Sequence, residues 1–197
     1  MRNNKLNKRI LILCEGITEY LYAKSMQREL PRSLQRAVSI EIDYNSRNDP
    51  KSLAQEARKR KNKARKEKNA YDSIWLFFDH DNWPQLESAF NIIHSEGFNI
   101  AYSSMCIEHW FIFHFEDCGR SFQDGKDALK YLKKCWPEYH KTKLKHYPLL
   151  KSKKNTAIKR AQLLRKNTDK NQPVHLRNPF FTIDELIVFF KEIERTF

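Results

Sequence analysis

Between Asp72 and Pro84 the chain reads Asp-Ser-Ile-Trp-Leu-Phe-Phe-Asp-His-Asp-Asn-Trp-Pro, an unbroken apolar run followed at once by two carboxylates. The run from Ile74 to Phe78, with β-favouring residues at most positions, predicts a strand buried on both faces. Asp79 and Asp81 fall where that strand emerges. If the backbone stays extended there, the side-chain period of two turns both acids to one side. Two like charges aimed at one point repel each other, and a cation between them relieves the repulsion; hard oxygen ligands suit Mg²⁺ or Mn²⁺. A polar loop capping the next helix has the same look, so a second acidic element is needed to tell the two apart.

That second element comes early. Ile10 to Cys14 is another short apolar run, closed by Glu15-Gly16. Thr18 is placed to cap a helix whose stripe of Tyr20, Leu21, Ala23, Met26 and Leu30 ends at Pro31. Val38 to Tyr44 alternates apolar with polar, which predicts a strand with one wetter face, nearer a sheet edge. Asp49-Pro50 starts a helix that runs toward Ala70. After the central strand, Pro84 opens a helix that Gly97 ends, Phe98 to Ser103 reads as a fourth strand, and Met105 to Phe115 as a buried helix. Strands alternating with helices imply parallel neighbours joined by crossovers, so the expected fold class is α/β, a mostly parallel sheet flanked by helices.

Beyond Glu116 the strand pattern stops. Basic helical segments are expected from Gly125 to Trp136 and from Asn155 to Asn167, a loop from Pro173 to Pro179, and a last amphipathic helix behind a Thr182/Glu185 capping box. The expected organisation is a core over residues 1–116 and a basic helical elaboration over residues 117–197 packed on it.

Charge narrows the function. The 197 residues carry a formal charge of +13, with Lys and Arg crowded into Arg58 to Lys68 and Lys141 to Lys170. A polyanion is the simplest partner, and nucleic acid is favoured over a membrane surface because no stretch approaches the ~18 apolar residues of a span. The basic amino terminus is followed by too short an apolar segment for a signal peptide, and Cys14, Cys106, Cys118 and Cys135 show no Cys-x-x-Cys pairing. A reducing, cytoplasmic location is expected. Ligands of an open parallel sheet collect at the carboxyl ends of its strands, where Glu15 leaves the first strand and Asp79 and Asp81 the third. Gly16 leaves room for a phosphate, and Glu19 lies four residues beyond Glu15.

Glu-Gly after a first strand and Asp-x-Asp after a later one resembles the Toprim catalytic fold of topoisomerases, bacterial primases and OLD-type nucleases. More closely, Leu13-Cys14-Glu15-Gly16-Ile17-Thr18-Glu19-Tyr20, Phe78-Asp79-His80-Asp81, Ser103-Ser104-Met105-Cys106-Ile107-Glu108-His109-Trp110 with His114-Phe115, and the Asn178-Pro179 to Leu186 segment resemble the RloB-like family, associated with bacterial restriction loci and phage defence. The resemblance implies a metal site at Glu15, Asp79 and Asp81, with Glu19, Glu108 and His114 at further motif positions. One departure is Met105, where the motif leads one to expect proline.

The leading expectation is a Mg²⁺-dependent (or Mn²⁺-dependent) endonuclease acting on structured RNA such as tRNA, with DNA as the second choice, in anti-phage defence and with a defence-system protein as a further partner. Arg58, Arg60, Lys61, Lys63, Arg65, Lys66 and Lys68, with Lys141, Lys143 and Lys145, are the expected grip on the phosphate backbone. Trp136, Tyr139, His140 and Tyr147 are candidates for stacking on unpaired bases. The rival expectation is a non-catalytic nucleic-acid-binding or partner-sensing module that uses the acids structurally.

Overall fold

The computed structural model describes residues 8–44, 49–143 and 145–196. Strand β1 (Lys8–Cys14) leads through α1 (Ile17–Glu29) and a short α2 (Arg32–Ala37) to β2 (Val38–Tyr44); α3 (Pro50–Lys66) then returns the chain to β3 (Ser73–Asp79), and α4 (Leu86–Glu96) to β4 (Asn99–Ser103). The four strands form one all-parallel sheet in the order β2-β1-β3-β4. The apolar runs of β1 and β3 occupy its centre, and the alternating β2 its edge, as their patterns predict.

Burial on both sides of the sheet follows from the period of two. Ile10, Ile12, Cys14, Trp75 and Phe77 face one core, while Leu11, Leu13, Ile74, Leu76 and Phe78 face the other, under α3 and α4. The first core continues into α5 (Ile107–Ile112), α6 (Gly125–Cys135), α7 (His146–Leu150), α8 (Lys154–Asn167) and α9 (Ile183–Thr196). Strand and carboxyl-terminal residues thus share one apolar cluster. Among the described residues, no helix is long and apolar enough to cross a membrane.

Local chemistry explains most boundaries. The Asp49 side chain accepts the Ser52 N–H and Pro50 fills the first turn of α3, while Gly97 closes α4 with φ +66°. Elsewhere the structure corrects the reading. Gly16, not Thr18, is the N-cap of α1, and Thr18 is buried inside the first turn with its hydroxyl unpartnered. Helix α4 begins at Leu86 rather than Pro84, because the chain first turns through Asp81 and Asn82, both at positive φ. The helix read over Met105 to Phe115 is confined to α5, and α2 and α7 lie in stretches read as connections.

Thr182 is the most informative correction. Its hydroxyl does not build a capping box; it accepts the Tyr102 N–H at 2.9 Å and donates to the Ile100 carbonyl at 2.8 Å, while its own N–H donates to the Tyr102 carbonyl. The segment 180–182 lies against the free edge of β4, with an antiparallel bridge between Ser103 and Phe181, and so covers an edge that would otherwise expose unpaired backbone groups. Arg165 locks this strip from α8, donating to the Phe181 carbonyl and, through both terminal nitrogens, to the buried Asp184 carboxylate. Replacing Thr182 by Val keeps the shape but leaves the Tyr102 N–H and Ile100 carbonyl unpaired. Urea denaturation should show a loss of about 2–3 kcal/mol for Thr182→Val and less than half of that for Thr182→Ser.

Candidate functional site

β1 and β3 are neighbours in register, Cys14 opposite Phe77, so Glu15 and Asp79 leave the sheet side by side. The Glu15 N–H donates to the Phe77 carbonyl at 2.9 Å and prolongs the ladder by one step. Its buried side chain then crosses to β3. Oε2 accepts the Asp79 N–H at 2.9 Å and Oε1 accepts the Trp83 indole N–H at 2.8 Å. Both oxygens of Glu15 therefore hold the Asp-x-Asp loop in place, and Trp83, which sequence reasoning did not single out, is the clamp at its far end.

Around Asp79 the chain gathers two more acids. Glu19, on the first turn of α1, and Glu108, on the first turn of α5, are both buried. Glu108 Oε1 accepts the Tyr139 hydroxyl at 2.8 Å. Asp79 Oδ1 is shielded from solvent and has no hydrogen-bond partner among the described residues. Burial, then the neighbouring charges of Glu19, Glu15 and Glu108, push the Asp79 carboxyl well above its usual range. Burial first, opposed by the hydrogen bond from Asp79 and abetted by Glu19, pushes Glu15 up to about 8; burial and Glu108 carry Glu19 up to about 7. Burial and their mutual repulsion thus disfavour the charged forms of these carboxyls.

Lys141 offsets part of that repulsion. Burial pulls its ammonium down, but Glu108, Glu19 and Asp79 more than offset this and leave it above its ordinary value. Cys106 is driven the other way in charge: burial, then Glu108 and Asp79, keep it a neutral thiol, which argues against a cysteine nucleophile here.

Asp81 does not join Asp79. The backbone leaves the extended region at Asp81 (φ +36°), whose N–H donates to the Met105 carbonyl at 3.0 Å, and the residue is exposed at the rim. Met105 itself sits at φ +73°, a conformation closed to proline, whose ring fixes φ near −65°. The departure at this position therefore goes with a local turn that a proline cannot make. His114 is not brought to the acids either. It is a core histidine on α5's trailing turn, its Nδ1 at 3.1 Å from the Trp110 carbonyl, and burial lowers it to about 4, with Lys153 and Arg160 as its charged neighbours.

The basic residues separate into two groups. As a crossover helix, α3 starts at the carboxyl end of the sheet and runs back, so Arg58 to Lys68 lie toward the end where Arg9 meets Asn69 and Asp72, away from the acids. Arg60 is engaged by Glu56, Asp43 and Glu41 at 2.9, 2.7 and 3.0 Å, and Lys61 by Glu96 at 2.9 Å. These two hold α3 against β2 and α4. Lys63, itself exposed, stands 3.9 Å from Glu67, and Arg58, Arg65, Lys66 and Lys68 are exposed. Lys141, Lys143 and Lys145 are exposed, and of these Lys141 bears electrostatically on Glu108, Glu19 and Asp79. Three of the four stacking candidates are closed off by burial, since Trp136, Tyr139 and Tyr147 are core residues, whereas His140 is exposed, its Nδ1 accepting the Thr142 and Lys143 N–H groups.

Among the described residues, no group of three or more His, Cys, Asp or Glu side chains is placed to hold a metal ion. The donor chemistry alone suits a hard cation: a buried, unpartnered Asp79 oxygen with Glu19, Glu15 and Glu108 as its charged neighbours.

Two outcomes follow from this electrostatics. Groups whose folded pKa is raised contribute stability below the unfolded value, and that contribution is lost as pH rises through the folded value. In metal-free buffer, Glu19→Gln should therefore gain on the wild type by on the order of 2 kcal/mol in urea denaturation between about pH 5 and pH 8. A difference that does not vary with pH would show that Glu19 titrates normally. Arg60→Ala should lower stability by about 1 kcal/mol, as measured by urea denaturation.

Neither the curated proteins nor the solved structures contain a match to this chain. The RloB-like protein family matches residues 10–189, which takes in the Glu15, Asp79 and Glu108 segments and the strip over β4. The chain belongs to the RloB-like protein family.

Proposed function

We propose that this protein is a metal-dependent nuclease of Toprim type, acting on structured RNA such as tRNA, or else on DNA, in anti-phage defence. The observation that carries the reading is the buried Asp79 Oδ1, unpartnered among the described residues at the carboxyl edge of the sheet and with Glu19 and Glu108 among its charged neighbours, on a chain of charge +13. Asp79, Glu19 and Glu108 are the residues that would hold Mg²⁺ or Mn²⁺. Such a cation supplies charge stabilisation at a phosphoryl oxygen and lowers the pKa of a bound water.

The chain's own residues have separable tasks. Glu15 fixes the Asp79 main chain and Trp83, and so acts as a positioning residue. Tyr139 orients Glu108 by donating to it. Lys141 offsets the acids before a phosphate arrives and offers a contact to that phosphate once it has. Asp81, at the exposed rim, faces solvent and incoming substrate.

One specific observation favours a second reading. Both Glu15 oxygens are committed to backbone and indole N–H groups, and a module that merely binds nucleic acid would also use its acids in that way. The two readings part on catalysis. Pure protein incubated with DNA or total RNA should cleave in Mg²⁺ or Mn²⁺ and not in EDTA, and Asp79→Asn should lower the rate at least ~100-fold. Equal product from wild type and Asp79→Asn would sink the nuclease assignment and leave the binding module.

A further inference from the structure

Beside the acids, between the Asp79-to-Trp83 loop and the segment 174–178, lies a cavity of about 210 Å³ that the carboxylates do not line. Its walls include His80, Asn82, Ser104, Met105, His175 and Arg177. Several of these are held in place by hydrogen bonds. His80 Nδ1 accepts the Asn82 N–H at 3.1 Å, which leaves the proton on the other ring nitrogen, and the ring also bonds to the His175 main chain. This imidazole ties the Asp-x-Asp loop to the far wall. Ser104 Oγ accepts the Phe180 N–H at 2.7 Å. Arg177 donates from Nε to the Gln172 carbonyl at 2.7 Å and from Nη2 to the Lys170 carbonyl at 3.0 Å, with its guanidinium over the Phe180 ring.

Three polar groups remain uncommitted among the described residues: Arg177 Nη1, the His175 imidazole and the Asn82 carboxamide. Asn82 and its neighbour Asp81 lie at φ +54° and +36°, and Met105 across the cavity at +73°. Left-handed backbone at non-glycine residues persists where the surroundings impose it, and such residues cluster at ligand clamps. The space is below the ~300–1,000 Å³ of a pocket that encloses a drug-sized ligand, so it suits one small group. A guanidinium arm, an imidazole and a carboxamide with no carboxylate among them form a donor set for an anion.

We propose that this cavity binds a phosphate group of the nucleic acid, next to the phosphate that the Asp79 cluster addresses, through Arg177, His175 and Asn82. Its place on the substrate path rests on the nuclease reading; its anion chemistry does not. A strand laid along the carboxyl edge of the sheet would then be held at two points, by Lys141 on one flank and by this cavity on the other, and the second contact sets which phosphodiester meets the acids.

The direct test follows the His175 ring nitrogens by ¹⁵N NMR in metal-free wild-type protein titrated with inorganic phosphate and, separately, with an uncharged nucleoside. Phosphate should move the His175 resonances and the nucleoside should not; movement by the nucleoside alone, or by neither, overturns the site. Binding of single-stranded oligonucleotides in EDTA is the second measurement, with His175→Ala/Asn82→Ala expected to weaken affinity about tenfold. Among the described residues neither side chain is hydrogen-bonded, and the His175 ring rests on Phe90 with centroids 5.9 Å apart. An equal loss with and without a terminal phosphate puts an internal phosphate in the cavity, a loss only with the terminal phosphate puts the chain end there, and unchanged affinity overturns the proposal. Cleavage is scored apart: retained metal-dependent cleavage with unchanged affinity removes this site alone, whereas weakened affinity with no cleavage by any form removes the nuclease reading and leaves the site.

Discussion

The Glu15 carboxylate, reaching from the end of β1 to the Asp79 N–H and the Trp83 indole, is the contact on which the rest of the site depends. It fixes the exit angle of β3, and with it the direction in which Asp79 points. A buried carboxylate accepting two N–H groups is anchored far better than one facing water, because any displacement leaves charge and donors unpaired in a low-dielectric setting. The loop beyond Asp79 is then forced to turn, which accounts for the positive φ of Asp81 and Asn82 and for the Asp81 N–H meeting the Met105 carbonyl. Met105 in turn begins the approach to α5, which delivers Glu108. One side chain thus ties the end of β1 to the loop that carries Asp79 and Asp81.

The carboxyl-terminal part of the chain completes what the sheet begins. Tyr139 reaches from that part to Glu108, Lys141 offsets the acids, and Arg165 pins the strip that covers the edge of β4. These contacts run through an apolar cluster shared with β1 and β3, so core and elaboration are coupled by packing as well as by polar contacts. Lys141 thereby sets positive charge beside acids whose own charge is suppressed by burial.

The fold was largely legible because its signals were apolar and local. The runs Ile10 to Cys14 and Ile74 to Phe78 and the alternation from Val38 to Tyr44 marked three strands within a residue or two of their ends. Motif position singles out Glu15, Asp79, Glu19 and Glu108, and the fold brings these four carboxyls within electrostatic reach of one another. What escaped was decided by tertiary contact. Thr182 carried every local mark of a helix cap, yet β4 offered its hydroxyl two buried backbone partners. Arg60 and Lys61 belonged to a run that looked free until the acids of β2, α3 and α4 took them. His114 matched a motif position but points into apolar packing, and Tyr139 looked like a surface aromatic among lysines when it is a buried donor. Trp83 gave one usable signal, an indole directly after the paired acids, with nothing local to say which acceptor it would find.

The central proposal is that Asp79, with Glu19 and Glu108 among its charged neighbours, takes up one hard cation. Thermal melts at about pH 8 in EDTA and in millimolar Mn²⁺ test it most directly, on wild type and on Asp79→Asn. The account predicts that Mn²⁺ raises the wild-type melting temperature by several degrees, as expected for a ligand that binds only the folded chain, and leaves Asp79→Asn unmoved. The same rise in both proteins, or none in the wild type, would contradict it.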